Sequence, residues 1–540
     1  MSITISHFPL LFLPSHQFDV STEQQQRVDA RIKAHAAKFA HQKRRESLRL
    51  SHQDDGSDSG LQAVSLQSAG TSLYGSGARH RHDLLSRSPQ GLAWVFHGAS
   101  DPFDAFPVRV TPEVNRVVVY ARDVLLPKLV IPPFMRRFTS TPSKVILCDD
   151  ATSSIGASCL RQTMDQFRTA SEGACFAWLS SHMALARRIV SGQPAQKLLE
   201  DELRMRVKSI QLLQRYLAEK DTNQASSALV QHVRYLLQAE CQAGNIAAAK
   251  VHAAMLLQLP VCFQHGREHV HHIMMIMWNV TDLACKTLER PIIPFDATFT
   301  SGLALLWTVD PAEILQVSTV DEEIHSCIAS PIIKTALVRL RSCLSMVSRR
   351  ISSATTADRI QGDILFDWIA TKTFYDMAAL INLYNDLTEE AVVPECEAGQ
   401  RLTEACLTLT VVYMLRQCIH TAPVDGVDIR DVSHVIVPRL QRDLQKAIKL
   451  LTPAERIKYQ DAYFWMFYVG ALHEQSRVPL QVRAESAPET AAWFTNILVK
   501  QAYKLDVWTW NSAKSVLDMF VYDPELHPQG SLWFEAVVHA

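Results

Sequence analysis

Beyond its first hundred residues the chain is almost without glycine. Of 18 glycines in 540 residues, seven (Gly56, Gly60, Gly70, Gly75, Gly77, Gly91 and Gly98) precede residue 101, against an average usage of about 7%. Sheet proteins need glycine at tight turns, and phosphate-cradling loops need it for close backbone approach. The remaining stretch is therefore expected to be helical. With 47% hydrophobic residues the chain as a whole can bury a large core.

Apolar spacing supports helices along the whole body. Leu199, Leu203, Val207, Ile210, Leu213 and Leu217 step by three or four residues, predicting one apolar face. Leu229, Val233 and Leu236 predict a second helix ending near Gly244, which suits a left-handed C′ position. Asn245 then caps a third helix through Ala253 and Leu256. Ala239 to Ala249 is similar to one tetratricopeptide-like pair, but no second copy follows at a fixed period. Further helical stretches fall at 269–288, 330–349, 364–387, 402–420, 434–450 and 490–504. A mean length of about 12 residues gives roughly fifteen to twenty helices.

The C-terminal region holds the densest aromatic pattern. Thr452-Pro453-Ala454-Glu455 reads as a capping box with proline at N1. The run Tyr463 to Val469 that follows is apolar on every face, which predicts a helix surrounded by others, with Gly470-Ala471 allowing one neighbour to come close.

The N-terminus differs. Arg27, Arg31, Lys33, Lys38, Lys43, Arg44, Arg45 and Arg49 stand against Asp29 and Glu46, with only Val28, Ile32 and Phe39 as an apolar stripe. From Ser51 to about Gln90 the chain is rich in Ser, Gly, Gln, His and Asp, too polar to offset the entropy of ordering. We expect residues 1–92 to form a largely disordered basic arm and linker, and residues 93–540 an all-α multi-helix body, with order returning near Trp94 and a turn at Asp101-Pro102-Phe103-Asp104. The cations have three readings: a nuclear import signal centred on Lys43-Arg44-Arg45, contacts along a phosphate backbone, or a solubilising tail. A net charge of −1 gives no global field, so any nucleic-acid contact must be local.

Eleven cysteines, none in C-x-x-C spacing, suit reduced thiols in an intracellular compartment. No run of about 18 apolar residues is evident. Phe8 to Leu13, bracketed by prolines, follows no basic region, so neither a membrane span nor a secretory signal is expected. Nuclear location is the expectation, with cytoplasmic as the alternative.

His265-Gly266-Arg267-Glu268-His269 satisfies H-x-x-E-H, a pattern in which two histidines hold zinc and a glutamate activates water. Gly266 would sit inside the ligand helix, and no downstream glutamate ligand can be assigned. A core helix with histidines at its wet end is the simpler account of His269, His271, His272, Met274, Met275 and Met277. G-x-S-x-G, the phosphate-loop signature and G-x-G-x-x-G do not occur. No catalytic residue, metal or cofactor is assigned, and the chain is expected not to be an enzyme; a metallopeptidase at His265 and His269 is the remote alternative.

The order of several features resembles the fungal-specific transcription-factor-like proteins, whose helical regulatory region accompanies zinc-cluster DNA-binding modules. The matching elements begin with Arg31 to Arg45 around Ala34-His35-Ala36, Asp101-Pro102-Phe103 with Pro107, and Ala243-Gly244-Asn245 with His252. They continue through Trp278 with Asp282, Arg290-Pro291, Phe467 to Ala471, Trp493-Phe494 and Trp508. A zinc cluster needs six cysteines within about thirty residues, and this chain has none before Cys148. It thus resembles the branch with a basic segment in place of the cluster. The resemblance implies a nuclear, all-helical regulatory domain, dimeric or joined to other regulatory proteins, that responds to a ligand or partner. The alternative from another class is a helical protein-interaction scaffold that never acts on DNA. Apart from the resemblance, Trp278, Trp465, Trp493 and Trp508 read as core aromatics, Asp282 as a packing or capping carboxylate, and Arg290 as a local partner for a carbonyl or acid.

Overall fold

In the computed structural model, residues 107–109, 111–130, 163, 165–190, 192–219, 227–259, 267–309, 323–347, 356–389, 395–421, 423–424, 427–429, 431–477, 493–524, 526 and 528–539 are described. They are all-α apart from one two-residue hairpin. Helix α1 (Pro112–Tyr120) starts from Thr111, whose hydroxyl accepts from Val114 N at 3.3 Å, and passes through a π-helical turn (Ala121–Leu125) into α2 (Leu126–Val130). The arm and linker, Trp94 and the turn at residues 101–104 lie outside the described residues.

Helix α3 (Glu172–Arg187) is capped by Ser171, and every residue from Gly173 to Ala186 is buried. It is wrapped chiefly by α4 (Gln193–Glu219) and α5 (Ser227–Ala243). Gly244 adopts φ +76°, the left-handed position expected of it, and Asn245 caps α6 (Ile246–Gln258) through its bond from Ala248 N.

Helix α4 has the expected length but not the expected face. Leu203 and Val207 are about half exposed, while Asp201, Glu202, Arg206 and Ser209 are buried beside Leu213. The polar side turns inward because Arg206 and Glu202 find charged partners there, described below.

Helix α7 (Arg267–Thr287) packs on α5 and on the long α11. The intervening elements are α8 (Ala297–Thr300), α9 (Ala304–Trp307) and α10 (Pro331–Val347), followed by α11 (Thr356–Thr388) and α12 (Glu395–Leu415). A second π-helical turn (Arg416–His420) ends α12, and an antiparallel hairpin, β1 (Pro423–Val424) with β2 (Val427–Asp428), leads to α13 (Ser433–Leu450). The stretch Glu397–His420 is long and apolar enough to cross a membrane by length and composition, contrary to the sequence reading. It is the core helix of this body, with 83% of its apolar window buried within the protein.

The capping box at Thr452 forms as expected but drives only the six-residue α14 (Pro453–Lys458). The chain breaks at Tyr459, and the aromatic run belongs to the next helix, α15 (Gln460–Arg477). Trp465 is fully buried, donates to Val521 O at 2.9 Å and stacks on Phe520 with centroids 5.1 Å apart. A Cβ on Gly470 would run into the Phe494 ring, so the bare backbone there is what lets α16 (Trp493–Leu505) lie against α15. Glu474 fixes that approach, accepting from Phe494 N at 2.8 Å and Thr495 N at 2.9 Å at the positive end of α16. Helices α17 (Trp510–Asp518) and α18 (Gly530–Val538) complete the aromatic cluster. One continuous apolar core runs from Val108 to Val538.

A buried polar layer as candidate functional site

Polar side chains form a connected layer between α3, α4, α5 and α7. At its outer edge Arg206 on α4 donates to Glu202 one turn earlier, and at 3.0 Å to Glu240 on α5; Arg187 on α3 donates to Glu202 at 3.2 Å. Burial raises the Glu240 carboxyl, opposed by the Arg206 charge. Ser209 joins α4 to its neighbours through Gly173 O and His232 Nε2, both at 2.8 Å.

Deeper in, Gln242 on α5 donates to Asn279 Oδ1 on α7 at 3.1 Å, and Arg188 donates to Gln242 O at 2.6 Å and to Ile429 O at 3.3 Å. Asp282 on α7 accepts from both Lys286 and Arg416, the first residue of the second π turn. Burial alone would raise the Asp282 carboxyl, but Lys286, Arg416 and Arg188 together hold it well below the usual range. The layer thus links the N-terminal helices to the turn after α12 through charge inside the core. A π-helical turn at such a junction is a frequent mark of functional sites.

Towards α2 the layer borders a small cavity lined by Leu129, Trp178, His182, Arg234, Gln238 and His271, among others. His182 lies against Trp178 one turn earlier, ring centroids 3.8 Å apart, with Nδ1 2.8 Å from Trp178 O. A carbonyl oxygen only accepts, so Nδ1 carries the proton and Nε2 keeps its lone pair. Burial pushes His182, His232 and His252 down to about 4 and His271 to about 3. All four imidazoles are neutral at pH 7, suited to hydrogen bonding rather than proton transfer.

The described cysteines are buried free thiols, and burial pushes Cys175 and Cys343 up to about 12, far from reactive thiolates. Among the described residues no group of three or more His, Cys, Asp or Glu is placed to hold a metal ion. His265 lies outside the described residues, and of His269 only the backbone in α7 is described. Arg27, Arg31, Lys33, Lys38, Lys43, Arg44, Arg45 and Arg49 also lie outside them.

Of the two readings of Asp282, packing or capping, the structure shows packing: it anchors an ion pair with a residue 134 positions away. The sequence held two signals for this: the only acid in the largely apolar stretch Ile273 to Cys285, and an arginine directly after the largely apolar run Leu407 to Leu415. Arg290 pairs not locally but with Asp386 at 2.7 Å and Glu389 at 2.6 Å, from the end of α11. Of the tryptophans, Trp278 and Trp465 are core, whereas Trp493 and Trp508 are partly exposed.

These features define the class as an all-helical protein organised around a buried polar layer. No protein-family profile, curated protein or solved structure matches the chain.

Proposed function

We propose that the chain is a transcription-regulator-like protein: a ligand- or partner-responsive helical body carrying a basic N-terminal arm, with no zinc cluster of its own. The observation that carries this reading is where the residues behind the resemblance sit. Asp282 seats the charged junction with Arg416, Gly244 and Asn245 turn α5 into α6, and Gly470 receives Phe494. Residues scattered through the sequence thus share one role, setting how helices meet, as expected if the resemblance reflects a common body plan. The arm would supply nuclear entry or contact with a phosphate backbone through Lys43, Arg44 and Arg45. Charge reversal at these three positions is expected to weaken binding of duplex DNA and flatten its salt dependence. Unchanged binding of the reversed and parent chains would remove DNA contact from the reading.

One observation favours a second reading, the partner-binding scaffold. The outer face of α4 presents Leu203 and Val207 to solvent beside Arg204 and Lys208, an apolar and basic strip open to a partner protein.

A further inference from the structure

The cavity beside α3 is lined by buried polar atoms that find no hydrogen-bond partner among the described residues, Trp178 Nε1, His182 Nε2 and the Tyr235 hydroxyl among them. Trp178 Nε1 and His182 Nε2 belong to side chains exposed by no more than 1%, and neither makes a hydrogen bond to the described residues. Both residues line the same cavity. The indole nitrogen is a donor only, whereas His182 Nε2 is an acceptor, because Nδ1 carries the proton donated to Trp178 O. Leaving such a pair unmatched in a dry core costs about 1–3 kcal/mol for each atom.

The size of the cavity selects the occupant. The space open to the centre of a water-sized sphere is about 10 Å³, close to the roughly 10–15 Å³ that one water needs. A larger ligand would have to displace Trp178 or His182, which are packed within the core. An apolar guest would leave both polar atoms unmatched. A monovalent anion would suit the indole donor and the Arg234 charge on the cavity wall but would meet the lone pair of the imidazole.

We propose that this cavity is a binding site for a single internal water, which accepts a hydrogen bond from Trp178 Nε1 and donates one to His182 Nε2. The water completes the polar layer at its α2 end and fixes the His182 ring without charging it. It is an integral part of α3 packing, exchanging only when the helices around it open.

The test uses the full chain. A crystal structure fine enough to order waters is expected to show one density peak within hydrogen-bond distance of both nitrogens. Oxygen-17 magnetic relaxation dispersion is expected to count one fewer long-lived water in Trp178→Phe than in the parent. An empty cavity at that resolution, or the same water count in a folded Trp178→Phe chain, would overturn the proposal. Should Trp178→Phe not fold, the density in the parent chain decides alone.

Discussion

Arg416 donates to the carboxylate of Asp282 across 134 residues of sequence, and both side chains are essentially inaccessible to solvent. The pair ties α7 to the turn that ends α12. Buried ion pairs are costly to assemble, and they are costlier still to break from one side.

Asp282→Asn keeps the shape and removes the charge that Lys286, Arg416 and Arg188 face. We expect a loss of about 3–5 kcal/mol, the usual cost of leaving buried charge uncompensated, measured as a lower urea midpoint at pH 7. The sign with pH follows from the depressed folded-state pKa. The stability contributed by Asp282 is present above the unfolded value of 3.8 and is lost as pH falls towards the lower folded value. The parent and Asn curves should therefore converge in acid.

Asp376 behaves oppositely. It is 5% exposed and receives Arg339, yet burial outweighs that charge and pushes its carboxyl up to about 6. Its stabilising contribution is full below the unfolded value of 3.8 and falls as pH rises through about 6. A shift of this size corresponds to about 3 kcal/mol. Asp376→Asn should gain on the parent chain by up to that amount between pH 4 and pH 7, read from denaturation midpoints across the range. Parallel curves for the two chains would contradict the assignment.

Gly470→Ala places a methyl group in the Phe494 ring. Overpacking of this kind costs about 1–3 kcal/mol. Phe494→Leu in the same chain should recover part of the loss, and a double-mutant cycle in thermal denaturation measures the coupling. Simple additivity would mean that the two helices separate without strain.

Local signals in the sequence were legible where local chemistry decides the outcome. Gly244 and Asn245 form the expected junction, the Thr452 capping box closes, and Gly470 admits a neighbouring helix. The spacing of apolar residues also located α5, α6, α7, α10, α13 and α16 to within a few residues, but it missed the buried α3 altogether. It misjudged the face of α4 because periodicity weighs Leu203 and Val207 but cannot see that Arg206 bridges Glu202 to Glu240 on another helix. It likewise joined α14 to α15, since nothing in the composition near Tyr459 announces the break. The candidate site was the least legible part. A layer built from Ser209 with His232, Gln242 with Asn279 and Asp282 with Arg416 depends on pairings between distant segments.

The regulator reading turns on whether the arm delivers the helical body to the nucleus. The direct measurement is the location of the intact chain, tagged at its C-terminus, beside the same chain lacking residues 1–50. Nuclear accumulation that disappears on truncation is the predicted result. A chain that stays in the cytoplasm with or without those residues would contradict the account and leave the exposed strip of Leu203 and Val207, and with it the scaffold reading, as the better explanation.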